Sequence, residues 1–144
     1  MKADDPFDLQ RFLDAQVRDY PTALAELRRG RKRSHWIWYV LPQLRGLGMS
    51  GNSQYYGIRS LDEARAYLAH PVLGPRLHEC VEAIAAHKGT DIATILGAVD
   101  AMKYRSCLTL FKAAAGEEAP FARGLDDFFG GDEDPKTIAL LGRS

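Results

Sequence analysis

The sequence predicts an all-α fold: a single domain of seven or eight short helices covering residues 1–144. Three observations carry that reading. Helix punctuation recurs along the chain, with Asp-Pro openings at Asp5-Pro6 and Asp134-Pro135 and glycine stops at Gly30, Gly97 and Gly130-Gly131. No stretch alternates polar and apolar residues for six positions between hairpin signals, so strands have no foothold. Hydrophobic content of 46% with 26% charged residues over 144 positions is enough for a buried core without metal or disulfide staples.

Each element follows from local spacing. Asp5 caps and Pro6 opens a first helix, with Asp8 at its third position and Leu9, Phe12, Leu13, Gln16 and Val17 on one face to about Asp19. Pro21 opens a second, short helix that turns Leu24 and Leu27 inward and stops at Gly30. Residues 36–41, Trp-Ile-Trp-Tyr-Val-Leu, suit a buried strand by composition, but Ser34 as an N-cap favours a short helix ending before Pro42. Ser60-Leu61-Asp62-Glu63 is a capping box for a helix through Tyr67 and Leu68 to His70-Pro71. Leu73, Leu77, Cys80, Val81 and Ile84 carry the next helix to about His87. Thr90 or Asp91 caps a short turn of helix, Asp100 caps a longer one over residues 101–115, and Pro120 starts another with Phe121, Leu125 and Phe128 inward. A last short helix covers residues 136–141.

Composition excludes several classes of function. The longest apolar stretch is far too short to cross a bilayer, and residues 1–6 lack an apolar signal core, so a cytoplasmic protein without membrane contact is expected. Net charge is zero, which argues against non-specific nucleic-acid binding. The charge is uneven, though: residues 1–48 hold nine Lys/Arg against six Asp/Glu, and residues 116–144 hold three against seven. Cys80 and Cys107 fall on apolar helical positions and read as buried free thiols. The four histidines show no metal-ligand spacing, so no metal and no cofactor is expected.

The chemistry concentrates around residues 34–43. Both tryptophans of the chain, Trp36 and Trp38, lie there, between a basic cluster (Arg28, Arg29, Arg31, Lys32, Arg33) and a glycine-rich loop containing Arg45, Gly46 and Gly48. Aromatic surface, fixed positive charge and bare backbone N–H groups suit a phosphorylated, planar ligand. On that reading Arg31, Arg33 and Arg45 hold a phosphate beside Gly46 and Gly48, and Trp36 or Trp38 stacks on a ring. His35 and Lys103 supply polar groups and Tyr56 a wall. One tryptophan is expected in the core, without the sequence choosing which. Asp100, Lys103, Ser106 and Thr109 recur every three residues beside an apolar stripe; both hydroxyls suit back-bonding one turn earlier, and Lys103 suits a cavity.

Two other functions fit these residues. Hydrolysis of an N-glycosidic bond would use Asp132 or Asp100 as the carboxylate and His35 or Lys103 as the donor to the leaving group. A protein-interaction module would instead present the basic cluster to an acidic partner, although a monomer is the expectation.

The chain also resembles an uncharacterised all-α family of small bacterial and fungal proteins, sometimes labelled calpastatin-like. The resemblance rests on Asp5-Pro6-Phe7-Asp8-Leu9, Ser34-His35-Trp36 with Trp38, Pro42-Gln43, Gly46-Leu47-Gly48, Tyr56-Gly57-Ile58 and His70-Pro71. It continues with Asp100, Lys103, Ser106 and Thr109-Leu110-Phe111. The chain departs from that pattern at Tyr104-Arg105, where smaller or apolar residues are usual. The resemblance implies a helical domain of unsettled function. The calpastatin label has no physical support, because calpain inhibitors of that kind are long and disordered. Phe12-Leu13-Asp14-Ala15-Gln16 and Phe129-Gly130-Gly131-Asp132, followed by Leu140-Leu141-Gly142, are also similar to blocks of helical N-glycosidases acting on ADP-ribose or phosphorylated riboflavin precursors.

Overall fold

The computed structural model describes residues 5–116 and 119–142. Among them are nine helices: α1 Gln10–Arg29, α2 Ile37–Val40, α3 Gly51–Tyr56, α4 Leu61–Ala69, α5 Leu73–Ala85, α6 Ile92–Leu96, α7 Ala98–Ala115, α8 Pro120–Phe129 and α9 Pro135–Leu140. No strand occurs among the described residues; the sole extended pairing is a parallel bridge between Leu44 and Ile58. The fold is all-α, as the punctuation predicts.

α7 is the axis, packed against α4, α6, α8 and α9, while α1 lies against α2 and α5, and α5 spans to α4 and α8. Phe12, Leu27, Trp36, Tyr67, Leu77, Phe111 and Phe121, each at most 1% exposed, fill the space between them. The aromatic contacts are tilted or edge-on, as between Phe12 and Tyr67 with centroids 5.1 Å apart.

Several local expectations need correction. Pro21 does not open a new helix: α1 runs through it, with the ring on the exposed face, the bond to the Val17 carbonyl given up and the ring crowding that carbonyl. Val17 accordingly faces solvent at 75% exposure instead of joining the core. Asp5 accepts from the Leu9 and Gln10 amides, so it caps the turn that leads into α1. Ser34 does not cap α2, whose N-cap is Trp36; its hydroxyl is drawn 2.6 Å from the Glu26 carboxylate instead. Asp100 is not a cap either. α7 begins at Ala98, leaving Asp100 in its first turn with a side chain free to meet lysines. The Ser60 hydroxyl accepts from the Glu63 amide as a capping box requires, but the Glu63 carboxylate reaches the Arg59 amide and Arg11 instead of closing the box.

Arg11 is the polar staple of the fold. It is 5% exposed, and all five guanidinium donors are used: on the carbonyls of Tyr55, Phe7, Asp8 and Gly57 and on the Glu63 carboxylate at 2.6 Å. It ties the segment before α1 to the α3–α4 connection. Gly57 sits where that connection meets the glycine-rich loop. A Cβ there would come within 2.7 Å of Arg45 Cα, so only glycine lets the two segments touch.

Candidate functional site

The site grows from the connection between α1 and α2. Glu26, 3% exposed on the last turns of α1, accepts four hydrogen bonds: the Arg33 and Ser34 amides, the Ser34 hydroxyl, and Trp36 Nε1 at 2.9 Å. Burial pushes its carboxyl up, but the bonds from Ser34, Arg33 and Trp36 outweigh this and hold it at about 2. That carboxylate fixes Trp36 in the core at 1% exposure.

Lys32 then links the two tryptophans. Its ammonium lies 4.9 Å from the Trp36 ring centroid, 2.6 Å from the Ser34 carbonyl and 2.7 Å from Asp100 Oδ2. The other Asp100 oxygen accepts from Lys103 at 3.1 Å, and the Lys103 ammonium sits 4.4 Å from the centroid of Trp38. Burial opposes ionisation of Asp100, yet the bonds and charges of both lysines bring it below the usual carboxylate range. One carboxylate therefore serves two cations, which leaves the cluster one positive charge in surplus.

Trp38, half-buried, opens onto a cleft of about 440 Å³. One wall is the loop after α2, with Gln43 and Gly48; the other is α7, with Lys103, Arg105 and Ser106, continued by Asp134 and Lys136 at the start of α9. Thr109 back-bonds to the Arg105 carbonyl as expected, while Ser106 Oγ lies 3.2 Å from the Met102 carbonyl and spends its one proton on the closer Asp134 carboxylate. Both hydroxyls thus anchor Asp134: Ser106 donates to its carboxylate at 2.8 Å, and the Asp134 amide donates to Thr109 Oγ1 at 2.9 Å. Burial raises the Asp134 carboxyl, but the bonds from Thr137, Ser106 and the α9 amides bring it below its ordinary value. Arg105 spends its guanidinium on the carbonyls of Asp132 and Glu133, holding the loop before α9 against α7.

Gln43 is the residue that sequence reasoning passed over. The Leu44–Ile58 bridge pins its backbone, with its carbonyl accepting from the Ile58 amide at 3.0 Å. Its side chain is only 7% exposed, lines the cleft, and finds no hydrogen-bond partner among the described residues. Gln43 stood inside the family pattern, beside Pro42, but nothing in its local spacing sets it apart from an ordinary loop glutamine. Asp134 was likewise legible only as a helix cap.

The expected site residues are thus divided. Trp38, Lys103 and Gly48 line the cleft, and Asp100 stands behind Lys103. Trp36 is sealed in the core and cannot stack on a ligand. Arg31, Arg33 and His35 are exposed and line none of the clefts described here; Arg33 contributes its amide to Glu26, and His35 its carbonyl to the Tyr39 hydroxyl. Arg45 lies on a separate cleft of about 180 Å³ beside Arg11 and Arg59, because the Leu44–Ile58 bridge turns it away from Trp38. Gly46 makes an exposed turn at φ 104° against Leu140. Tyr56 packs among Phe12, Tyr39 and Tyr55. The Asp132 side chain is exposed, and only its carbonyl takes part, through Arg105.

Among the described residues no helix is long and apolar enough to cross a membrane, and no cluster of His, Cys, Asp and Glu could hold a metal ion. No curated protein matches the chain. Among solved structures, the fold is similar to the crystal structure of the conserved hypothetical protein Rv1873 from Mycobacterium tuberculosis, with a TM-score of 0.94 and 49% identity. That likeness covers 97% of this chain and 100% of the other. Residues 6–141 match the protein family of unknown function DUF1810, which agrees with the resemblance carried by the tryptophan block. With the match running through nearly the whole chain, from the cap of the first helix to the end of the last, this protein belongs to the DUF1810 family.

Proposed function

We propose that this protein binds a small, planar, anionic ligand of the phosphorylated or nucleotide-like kind in the cleft beside Trp38. One observation carries the reading: the cleft is lined by three cations, Lys103, Arg105 and Lys136, against one carboxylate, Asp134. Asp134 is already engaged by two hydroxyls, and Asp100 balances Lys32 as well as Lys103. The cleft therefore attracts negative charge, with an indole at hand for a flat ring. The phosphate falls to Lys103 and Lys136 in place of Arg31, Arg33 and Arg45, which lie elsewhere. The test is a thermal-shift screen of nucleoside monophosphates, ADP-ribose and sugar phosphates. A ligand at a hundred times its dissociation constant adds about 2.7 kcal/mol of stability, and Lys103→Gln removes most of that gain. An absence of shift with every compound overturns the reading.

Hydrolysis of an N-glycosidic bond keeps one supporting observation, the ionised Asp134 carboxylate on the cleft wall. Such a group stabilises an oxocarbenium-like transition state. Asp100 serves poorly as an acid, since both of its oxygens are held by lysines. Incubation with ADP-ribose and nucleotides, followed by chromatography for a released base, decides it: release that disappears in Asp134→Asn supports hydrolysis, and no release rejects it.

A further inference from the structure

We infer that Gln43 reads the edge of the ligand's ring, so that the ligand carries a hydrogen-bond donor and an acceptor side by side, as nucleobases and cyclic amides do. This rests on the ligand-binding reading of the Trp38 cleft and goes further by naming the chemistry of the ring.

The argument starts from burial. A glutamine amide offers two N–H donors and a carbonyl acceptor, and burying these without partners is costly. Gln16 shows how this chain treats such a group in its core: at 1% exposure its nitrogen donates to the Tyr39 carbonyl at 2.7 Å and the Tyr67 hydroxyl at 3.2 Å, and its oxygen accepts from Arg76. Gln43, at 7% exposure, makes no such side-chain bond, and its amide atoms are not closed off from the cleft as the Tyr104 hydroxyl is from solvent. Trp38 and Lys103 line that same cleft.

Position adds a second argument. The Ile58 amide holds the Gln43 backbone, and Gly57 allows the two segments the close approach that this needs. The amide is therefore presented from a fixed main chain, which limits the entropy lost on pairing. A planar amide beside an indole, with lysines on the same cleft, matches a flat ring that bears an N–H and a C=O or ring nitrogen on one edge and an anionic group further out. The amide can turn over, so the pair of groups is specified and their order is not.

The experiment is calorimetric titration with UMP, AMP, purine riboside 5′-phosphate and ribose 5-phosphate. The last has the anion without the ring; purine riboside 5′-phosphate has the ring without an exocyclic donor. UMP and AMP are expected to bind about tenfold or more tightly than either control, the size of one bidentate amide–base pair. Gln43→Met should bring both nucleotides down to the level of purine riboside 5′-phosphate, which keeps the ring for Trp38, while leaving ribose 5-phosphate unchanged. Gln43→Glu, which keeps the shape but loses the donor, should weaken UMP and AMP as well. Nucleotides that bind no tighter than ribose 5-phosphate, or that ignore both substitutions, overturn the inference and leave anion binding standing. Failure of every probe, ribose 5-phosphate included, overturns the ligand-binding reading and this inference with it.

Discussion

Glu26 and Gln43 are both more than nine-tenths buried, and the molecule treats them in opposite ways. Glu26 accepts four hydrogen bonds from three residues within ten positions of itself, and those bonds fix the path of the chain from α1 to α2. Gln43 has a pinned backbone and an unpaired amide. The two tryptophans follow the same division: Trp36 is bound to Glu26, and Trp38 stands with Gln43 on the cleft. A buried polar group that is fully paired specifies structure, whereas one left open beside a cavity is available to something else. Burial alone does not separate the two; the hydrogen-bond inventory does.

The largest effect expected on the structural side of this comparison comes from Arg11. Arg11→Met strips four backbone carbonyls and the buried Glu63 of a partner, so a loss of about 3–5 kcal/mol in urea unfolding is expected. A loss below about 1 kcal/mol would show that the staple is dispensable.

Glu26 comes next and can be read through pH. Its folded-state value of about 2 lies below the ordinary 4.5, so it stabilises the fold fully above pH 4.5 and loses that contribution as pH falls towards 2. The linked free energy is about 3 kcal/mol. Asp100 and Asp134 are also lowered and weaken the fold in the same acid direction, so the informative quantity is a difference. Glu26→Gln should be about 2–4 kcal/mol less stable than the parent at pH 7, and the gap should close by pH 2. A gap that stays constant with pH contradicts the assignment.

The fold was largely legible in the sequence, because caps, glycine stops and apolar spacing act locally. The errors were local rules overruled by longer contacts. Ser34 was drawn to Glu26, Asp100 to Lys32, and Pro21 found the solvent face of a continuous helix. α3 was missed inside the glycine-rich loop, where only Ser50, accepting from the Ser53 amide, marks its start. The candidate site was half legible. Trp38, Lys103 and Gly48 carry chemical signals of their own, whereas Gln43 and Asp134 acquire theirs from partners brought together, or left absent, by folding. The arginines at 31, 33 and 45 misled because clustering in sequence says nothing about which way each side chain faces.

A smaller effect of opposite sign is expected at Tyr104. Its ring is wholly buried and packs near Phe129, and its hydroxyl is without a hydrogen-bond partner among the described residues. Tyr104→Phe removes an unsatisfied group at no cost in packing and should stabilise by about 1 kcal/mol. Destabilisation would mean that a partner, such as a buried water, satisfies the hydroxyl.

The smallest stability change should accompany a residue whose loss weakens nucleotide binding. Gln43→Met keeps the length of the side chain and its burial while deleting an amide that bonds to nothing in the protein. Methionine fills irregular space readily, and the deleted polar group had only water to lose. The expected change in unfolding free energy is therefore within about 0.5 kcal/mol of zero, in contrast to the cost of Glu26→Gln at equal burial. A loss of about 2 kcal/mol or more in Gln43→Met would place the amide with Glu26 among the structural groups. Unchanged stability together with weakened nucleotide affinity is the pattern of a side chain kept for a ligand at no benefit to the fold.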